Sequence, residues 1–272
     1  MRILQIGAGP TGTSLFNQLY FQIEKSTPTL EYVIVDNKKP GNGTAFGTSY
    51  NSHLINLPAS SMSINPNNLR EFVEWRARNQ FFWQDGSFDE AQAWSEFPPR
   101  RLFGTYVEQQ FQNTLNNALR AEFINTSVVC VTPIASGGKF IVEFENRTKE
   151  LFDKVVICIG HAPKAPFFPS APSNFYHTPY QKLQIPINAT VGIIGSRLTA
   201  IDAALALQEK GHTGKIFMIS RSGKLPKVIA KHHGYDHDQF TDHLLKETNH
   251  TLDSLITIHK REIERVSGNT ID

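Results

Sequence analysis

The sequence predicts an α/β fold built on two β-α-β units. Two observations carry that expectation. Strand, glycine-rich turn, helix and strand follow one another over residues 2–36, and the same order returns over residues 190–220. A mixed segment lies between them, so the pattern is that of a duplicated nucleotide-binding architecture. Hydrophobic residues make up 40% of the 272 residues and charged residues 19%, enough for a packed core. The formal net charge of +2 gives no reason to expect nucleic acid or an anionic membrane as a partner.

The elements follow from periodicity and from chain breakers. Arg2–Ile6 reads as a short buried strand and residues 7–12 as a tight turn. Residues 13–25 read as a helix with Leu15, Phe16, Leu19, Tyr20 and Ile23 on one face, and Pro28 cannot continue it. Glu31–Asp36 is the next strand. Residues 37–65 have little periodicity and much glycine, which predicts a long loop of the kind that is functional or disordered. Pro66 suits the first position of a helix whose inner face is Leu69, Phe72 and Val73. Phe103, Val107, Phe111, Leu115 and Leu119 recur every four residues, with Tyr106 beside them, and predict a long amphipathic helix. Val128–Pro133, residues 139–145 and residues 151–159 read as strands, the first two joined through Gly137 and Gly138.

A connector holding Pro163, Pro166, Pro169, Pro172 and Pro179 marks a crossing between domains. It divides the chain into a first nucleotide-binding domain, residues 1–165, whose end can be discontinuous, and a second unit, residues 166–272. In the second unit residues 190–194 read as a strand, Gly195 as a turn, residues 198–210 as a helix and residues 215–220 as a strand. Beyond Gly223 the patterns are helical. The first strand starts at Met1 and leaves no room for a signal peptide, and no apolar run is long enough to span a bilayer. A cytoplasmic protein is expected. Cys130 and Cys158 lie in apolar β-like runs and read as buried reduced thiols; without a Cys-x-x-Cys there is no dithiol mechanism.

Gly7-Ala8-Gly9-Pro10-Thr11-Gly12 fits G-x-G-x-x-G between a strand and a helix, with Asp36 closing the following strand at the expected distance. Gly7 permits the tight turn, Gly9 lets a pyrophosphate approach the backbone, and Gly12 lets helix and strand pack closely. The helix N-terminus offers free N–H groups to phosphate. Asp36 can accept hydrogen bonds from ribose hydroxyls and would repel a 2′-phosphate, which argues against NADP at this turn. In the second unit Gly195-Ser196-Arg197-Leu198-Thr199-Ala200 stands where a second fingerprint belongs. Arg197 replaces the middle glycine and would crowd a pyrophosphate, although its guanidinium can reach phosphate from the side. No acid closes the next strand; Arg221 occupies that region and suits an NADP 2′-phosphate. The second unit is therefore either an NADPH site with altered phosphate geometry or a degenerate structural repeat. His232, His233, His237 and His243 lie among Asp236, Asp238 and Asp242, but the spacing matches no metal set and reads as a solvated polar helix.

Five segments together resemble the FAD-NAD(P)-binding family of two-dinucleotide-domain flavoproteins, related to flavin-dependent N-hydroxylating monooxygenases. They are residues 6–12; residues 41–48 with residues 53–58; residues 99–106; residues 155–163; and residues 195–202 with residues 220–223. The resemblance implies that the first turn holds FAD and that residues 43–62 lie beside the flavin ring, where His53 and Asn56 would supply polar groups. It implies that Gly160 lets the chain close over FAD, and that Arg100 or Arg101 faces the FAD phosphates or the mouth of the site. Both arginines sit at the start of a helix, the wrong end for a cation, and a bound anion would remove that conflict. The activity implied is FAD-dependent, NAD(P)H-linked oxidation of a small molecule, extending to monooxygenation. The alternative is a catalytically incomplete dinucleotide-binding partner or sensor module, favoured by Arg197 and by a C-terminus shorter than that of relatives. An NAD-only dehydrogenase fits the FAD-type segments less well. No catalytic acid or base stands out.

Overall fold

The computed structural model describes residues 1–79, 90–135, 137–160, 170, 172, 174–180, 182–227 and 251–267. In chain order the elements are β1 (Arg2–Ile6), α1 (Pro10–Ser26), β2 (Glu31–Asp36), α2 (Gly43–Phe46), a 3-10 turn at Ala59–Ser61, α3 (Glu71–Arg78), α4 (Glu90–Ser95) and α5 (Arg100–Asn117). Then follow β3 (Ala121–Asn125), β4 (Val128–Pro133), β5 (Phe140–Phe144), β6 (Lys149–Phe152), β7 (Lys154–Ile157), β8 (Val191–Ile194), α6 (Leu198–Glu209), β9 (Ile216–Ile219) and α7 (Leu252–Ser267). Met1–Lys227 forms one compact unit and Val228–Asp272 another, so both β-α-β units lie in the first.

A four-stranded parallel sheet of order β3-β2-β1-β7 organises the first β-α-β unit. Its strands alternate in what they bury, because successive side chains point to opposite faces. Ile3, Tyr32 and Ile34 pack under α1 and α5 with Phe16, Tyr20, Leu30 and Phe111. Leu4, Val33 and Val35 pack on the other face against Val142, Phe144 and Phe152 of the antiparallel β4-β5-β6 sheet. Phe16 and Phe111 are fully buried, and each contributes about 1.5–3 kcal/mol on that count. A third cluster joins Phe72, Val73 and Trp75 of α3 to Phe103, Tyr106 and Val107 of α5, under the loop that carries Ile55 and Ala59. In the second β-α-β unit β8 and β9 pair in parallel, and α6 buries Ala200, Ala206 and Leu207.

The α/β expectation with two Rossmann-like units holds, with local corrections. The predicted strand over residues 151–159 is two strands in two sheets. The chain breaks at Asp153, whose carboxylate accepts the Arg2 N–H at 2.7 Å and pairs with Lys139 at 3.0 Å. The helix expected at Pro66 begins instead at Glu71, and Leu69 is exposed. Asn65 and Asn68 accept the N–H groups two residues on, a local bond that competes with helix. Leu119 lies beyond the end of α5 and is exposed. There the Tyr20 hydroxyl accepts the Arg120 N–H at 2.8 Å and starts the chain toward β3, a strand the sequence reading missed. The loop over residues 37–65 contains α2 and the 3-10 turn. Neither cysteine is fully buried: Cys130 is exposed on the antiparallel sheet, and Cys158 is half-buried, which pushes its thiol pKa up. The four histidines singled out near residues 232–243, and Pro163, Pro166 and Pro169, lie outside the described residues. Among the described residues no helix is long and apolar enough to cross a membrane, and no cluster of metal ligands occurs.

The close approach of α1 to β1 gives a test of this packing. A Cβ on Gly12 would stand 2.1 Å from the Gly7 carbonyl oxygen and 2.8 Å from the Gln5 amide nitrogen. Gly12→Ala is expected to destabilise the protein by about 1–3 kcal/mol, read as a lower urea midpoint. Gly192→Ala, where a Cβ meets nothing within 4 Å, is expected to leave the midpoint unchanged or raise it.

Candidate functional site

The chain leaves β1 for β2 and β3 on one side and returns at β7 on the other. That reversal falls at the carboxyl ends of the strands, the usual ligand position in open α/β sheets. The first glycine turn leaves β1 at that end. Gly7 has φ +103°, donates its N–H to Val35 at 2.7 Å, and leaves no room for a side chain, since a Cβ would stand 2.4 Å from the Cys158 carbonyl oxygen. The fold therefore requires glycine at positions 7 and 12. Gly9 is different. Its backbone, φ −71° and ψ −172°, suits any residue, and the nearest atom to an added Cβ is Gly43 Cα at 3.4 Å. Close packing does not demand glycine there. A ligand drawn onto the N-terminus of α1 would, and the first turn of α1 carries no acidic residue to oppose an anion.

Asp36 ends β2 beside this turn, half-buried. One carboxylate oxygen accepts the Ala8 N–H at 2.9 Å and the other the Lys38 N–H at 2.9 Å. Each oxygen keeps a lone pair for a ribose hydroxyl. Gln5, which the sequence reading passed over, is fully buried in β1. Its amide donates to the carbonyls of Gly7 at 3.0 Å and Gly12 at 3.1 Å, and its oxygen accepts the Tyr32 hydroxyl at 2.9 Å. It fixes both ends of the turn. The signal was available: a polar residue inside an apolar strand, two positions before the first glycine.

The long loop seats against the turn, with the Gly41 N–H donating to the Ala8 carbonyl at 2.6 Å. His53 lies deeper than expected, fully buried. Its Nε2 faces the Asp202 carbonyl at 3.2 Å and must donate, so its Nδ1 accepts the Thr48 hydroxyl at 2.8 Å. Burial lowers its pKa and outweighs the opposing pull of Asp202. Both nitrogens are used within the protein; His53 shapes the loop. Asn56 is exposed, between the exposed Leu57 and the buried Ile55. Gly160, φ +66°, lies exposed beyond β7 with nothing within 4 Å of an added Cβ, so its need for glycine comes from backbone conformation.

Arg100 does not meet solvent as a free cation. It donates from Nε to the Leu54 carbonyl at 2.9 Å, from Nη1 to the Tyr180 hydroxyl at 2.6 Å and from Nη2 to the Asp202 carboxylate at 2.9 Å. The conflict with the N-terminus of α5 is thus relieved by an anion of the protein, Asp202. The pair is largely buried, at 16% and 9% side-chain exposure, and removing one partner of such a pair costs about 3–5 kcal/mol. Arg101 is exposed and donates to Asn51.

The second turn repeats the backbone of the first. Gly195 has φ +115° and donates its N–H to Ile219 at 2.8 Å, as Gly7 does to Val35. Arg197 caps α6 with φ −92° and ψ −172°, as Gly9 caps α1. That correspondence sets Ser220, one residue beyond Ile219, at the place of Asp36, and Arg221 one residue further. Ser196 Oγ lies 2.8 Å from Ser220 Oγ and donates to the Lys224 carbonyl at 2.8 Å. Arg197 and Arg221 are both exposed. A groove of about 960 Å³ is lined by Gly195, Arg197 and Thr199, by β8 and Thr190, and by Tyr176 and His177.

The FAD-NAD(P)-binding family matches residues 5–162. No curated protein matches by sequence. Among solved structures the chain is similar to a closed form of cyclohexanone monooxygenase, with TM-score 0.52 and 14% identity over 81% of this chain and 38% of that one. It is similar to OTEMO in complex with FAD and NADP, with TM-score 0.53 and 15% identity over 80% and 38%. It is also similar to a cyclohexanone monooxygenase mutant from Rhodococcus sp. Phi1 bound to NADP+, with TM-score 0.55 and 17% identity over 81% and 38%. At these identities the likeness is one of fold, and the chain spans about 38% of the length of those proteins.

Two substitutions test the first turn. Gly9→Val is expected to fold normally by circular dichroism and thermal melting, yet to bind no added FAD in a fluorescence titration. Asp36→Ala is expected to weaken FAD by about 1–3 kcal/mol, the scale of lost charge-assisted hydrogen bonds, measured in the same titration.

Proposed function

The chain belongs to the FAD-NAD(P)-binding family, and from that premise we propose that it is an FAD-dependent oxidoreductase reduced by NADPH, acting on a small molecule as a monooxygenase. The observation that carries this reading is the pair of turns with one backbone and two different surfaces. The first presents no side chain at Gly9 and a carboxylate at Asp36, which suits a dinucleotide whose ribose hydroxyls are free. The second presents Ser220 and Arg221 where the acid would stand, which suits a ribose carrying a phosphate.

Bound FAD would supply the electron-carrying chemistry, carrying two electrons from the reduced nicotinamide to dioxygen, of which one oxygen atom goes to the substrate and the other to water. The protein's share is binding and orientation. Gly9 and the N-terminus of α1 would take the pyrophosphate, and Asp36 the ribose. Gln5 holds the Gly7 and Gly12 carbonyls in place, so the turn is organised before a ligand arrives. Arg197 would bind phosphate from the side of the second turn, and Arg221 the 2′-phosphate. The groove along β8 is of the size that ligand sites usually have.

A second reading keeps FAD at the first turn and makes the second turn scaffold only. Arg197 favours it, because its side chain projects where Gly9 leaves open space. Anaerobic reduction of the bound flavin by each nicotinamide nucleotide, followed by absorbance, separates the two. The proposed function expects reduction by NADPH faster than by NADH, with Arg221→Ala losing the preference by about tenfold or more, the scale of one charge-assisted pair. Equal rates with both nucleotides in the wild type would remove Arg221 from that role. Absence of reduction by either would favour the scaffold reading, and Arg197→Gly would then leave the result unchanged.

A further inference from the structure

Helix α6 carries the second turn at its N-terminus; its Glu209 carboxylate is held by the loop that lines the first turn, and its Asp202 by Arg100 and Tyr180 at the carboxylate and by the loop's His53 at the carbonyl. Asp202 receives Arg100 Nη2 at 2.9 Å and the Tyr180 hydroxyl at 3.0 Å, while its main-chain carbonyl receives His53 Nε2 at 3.2 Å. Glu209, two helical turns further on, receives the N–H groups of Asn51 at 3.0 Å and Ser52 at 2.9 Å. Arg100 fastens the same segment from below, taking the Leu54 carbonyl with its Nε and donating its own N–H to the His53 carbonyl at 2.7 Å.

The loop continues to the first turn. The Gly41 N–H reaches the Ala8 carbonyl at 2.6 Å, and Gly43 lies against Gly9. Contacts therefore run without a break from the first turn through residues 41–54 to α6 and the second turn. The join between loop and helix is directional. Apolar contact would let a helix rotate or slide by a fraction of an ångström, whereas a satisfied network of charged and neutral hydrogen bonds fixes one register. Asp202 is its hub, since its carboxylate and its carbonyl serve three different residues.

We infer that Asp202 is a positioning residue that sets the second turn relative to the first, so that electron transfer between nucleotides held at the two turns depends on it. The inference rests on the proposed function above, and Asp202 acts only through Arg100, His53 and Tyr180. Misplacement by about 1 Å far from the reacting atoms is enough to slow a reaction on the order of a hundredfold without loss of binding. Asp202 is chosen over Glu209 because it is buried and central; Glu209 clamps the outer end of the same loop.

The test uses Asp202→Ala and the isosteric Asp202→Asn in the full chain loaded with FAD. Three quantities are read: FAD affinity, the NADPH concentration for half-maximal anaerobic reduction, and the limiting reduction rate. Amide hydrogen exchange over residues 48–54, without nucleotide, gives a readout independent of activity. In Asp202→Ala, exchange in that segment is expected to rise about tenfold or more, as local opening becomes easier. The limiting rate is expected to fall about tenfold or more, with both affinities within about threefold of wild type. Asp202→Asn is expected to lie between, because it keeps an acceptor and loses the charge. If the alanine variant does not fold, the asparagine variant decides by the same criteria. Faster exchange with an unchanged limiting rate overturns the inference, as does unchanged exchange. A loss of FAD affinity equal to the loss of rate overturns it too, since that is what a merely structural residue gives. A wild-type protein that binds FAD and is reduced by neither nucleotide overturns the proposed function and this inference with it, and is told apart because the failure appears before any substitution.

Discussion

The first turn depends on one buried amide. Gln5 sits in a strand whose neighbours are apolar, and an unpaired amide there would cost about 1–3 kcal/mol. It is not unpaired, because Gly7, Gly12 and Tyr32 satisfy it. The same bonds hold the two carbonyls that bracket the turn, so the cost of burying a polar group and the shape of the turn are settled together. Gly12 must then be glycine because helix α1 is drawn against β1, and Gly7 because β7 passes close on the other side. Only Gly9 is left with no structural duty, and that freedom is what makes the turn usable.

Much of this was legible along the chain, and most of the exceptions depend on partners far away in it. The spacing of Gly7, Gly9 and Gly12, the helix behind them and Asp36 at the end of β2 are local features, and local features can be read from a string. Arg100 could not be read in that way. Its start-of-helix position looked like a call for a ligand anion, but the anion is a carboxylate 102 residues away. His53 carried no local mark of burial, because two of the groups against it, the Tyr180 ring and the Asp202 carbonyl, lie more than a hundred residues along the chain. The strand β3, Ala121–Asn125, is mostly exposed or half-exposed and lacks the apolar alternation that announces a strand. The break inside residues 151–159 rests on Asp153 binding the first residues of the chain.

The two turns also show how one backbone takes two surfaces. Gly7 and Gly195 share a left-handed φ, their N–H groups reach equivalent strand carbonyls, and Gly9 and Arg197 share an extended ψ. Nothing in the main chain forbids a side chain at the middle position of either. The difference between the turns is carried by side chains at positions 9 and 197 and at positions 36 and 220–221, and by the helix–strand approach, which is closer at Gly12 than Ala200 allows in the second turn.

The pairing of β1 has a consequence for the order in which the protein is made. Arg2–Ile6 is synthesised well before its partner β7, Lys154–Ile157, and the Arg2 N–H waits for Asp153, 151 residues on. At about 5–20 residues per second, that interval is on the order of ten to thirty seconds of translation. Until it ends, β1 has one open edge and the Gly7 turn lacks the wall that Cys158 provides. Strand β1 is thus completed late. A nascent chain of this protein has a period in which the open β7 side of β1 must be kept from pairing with another copy.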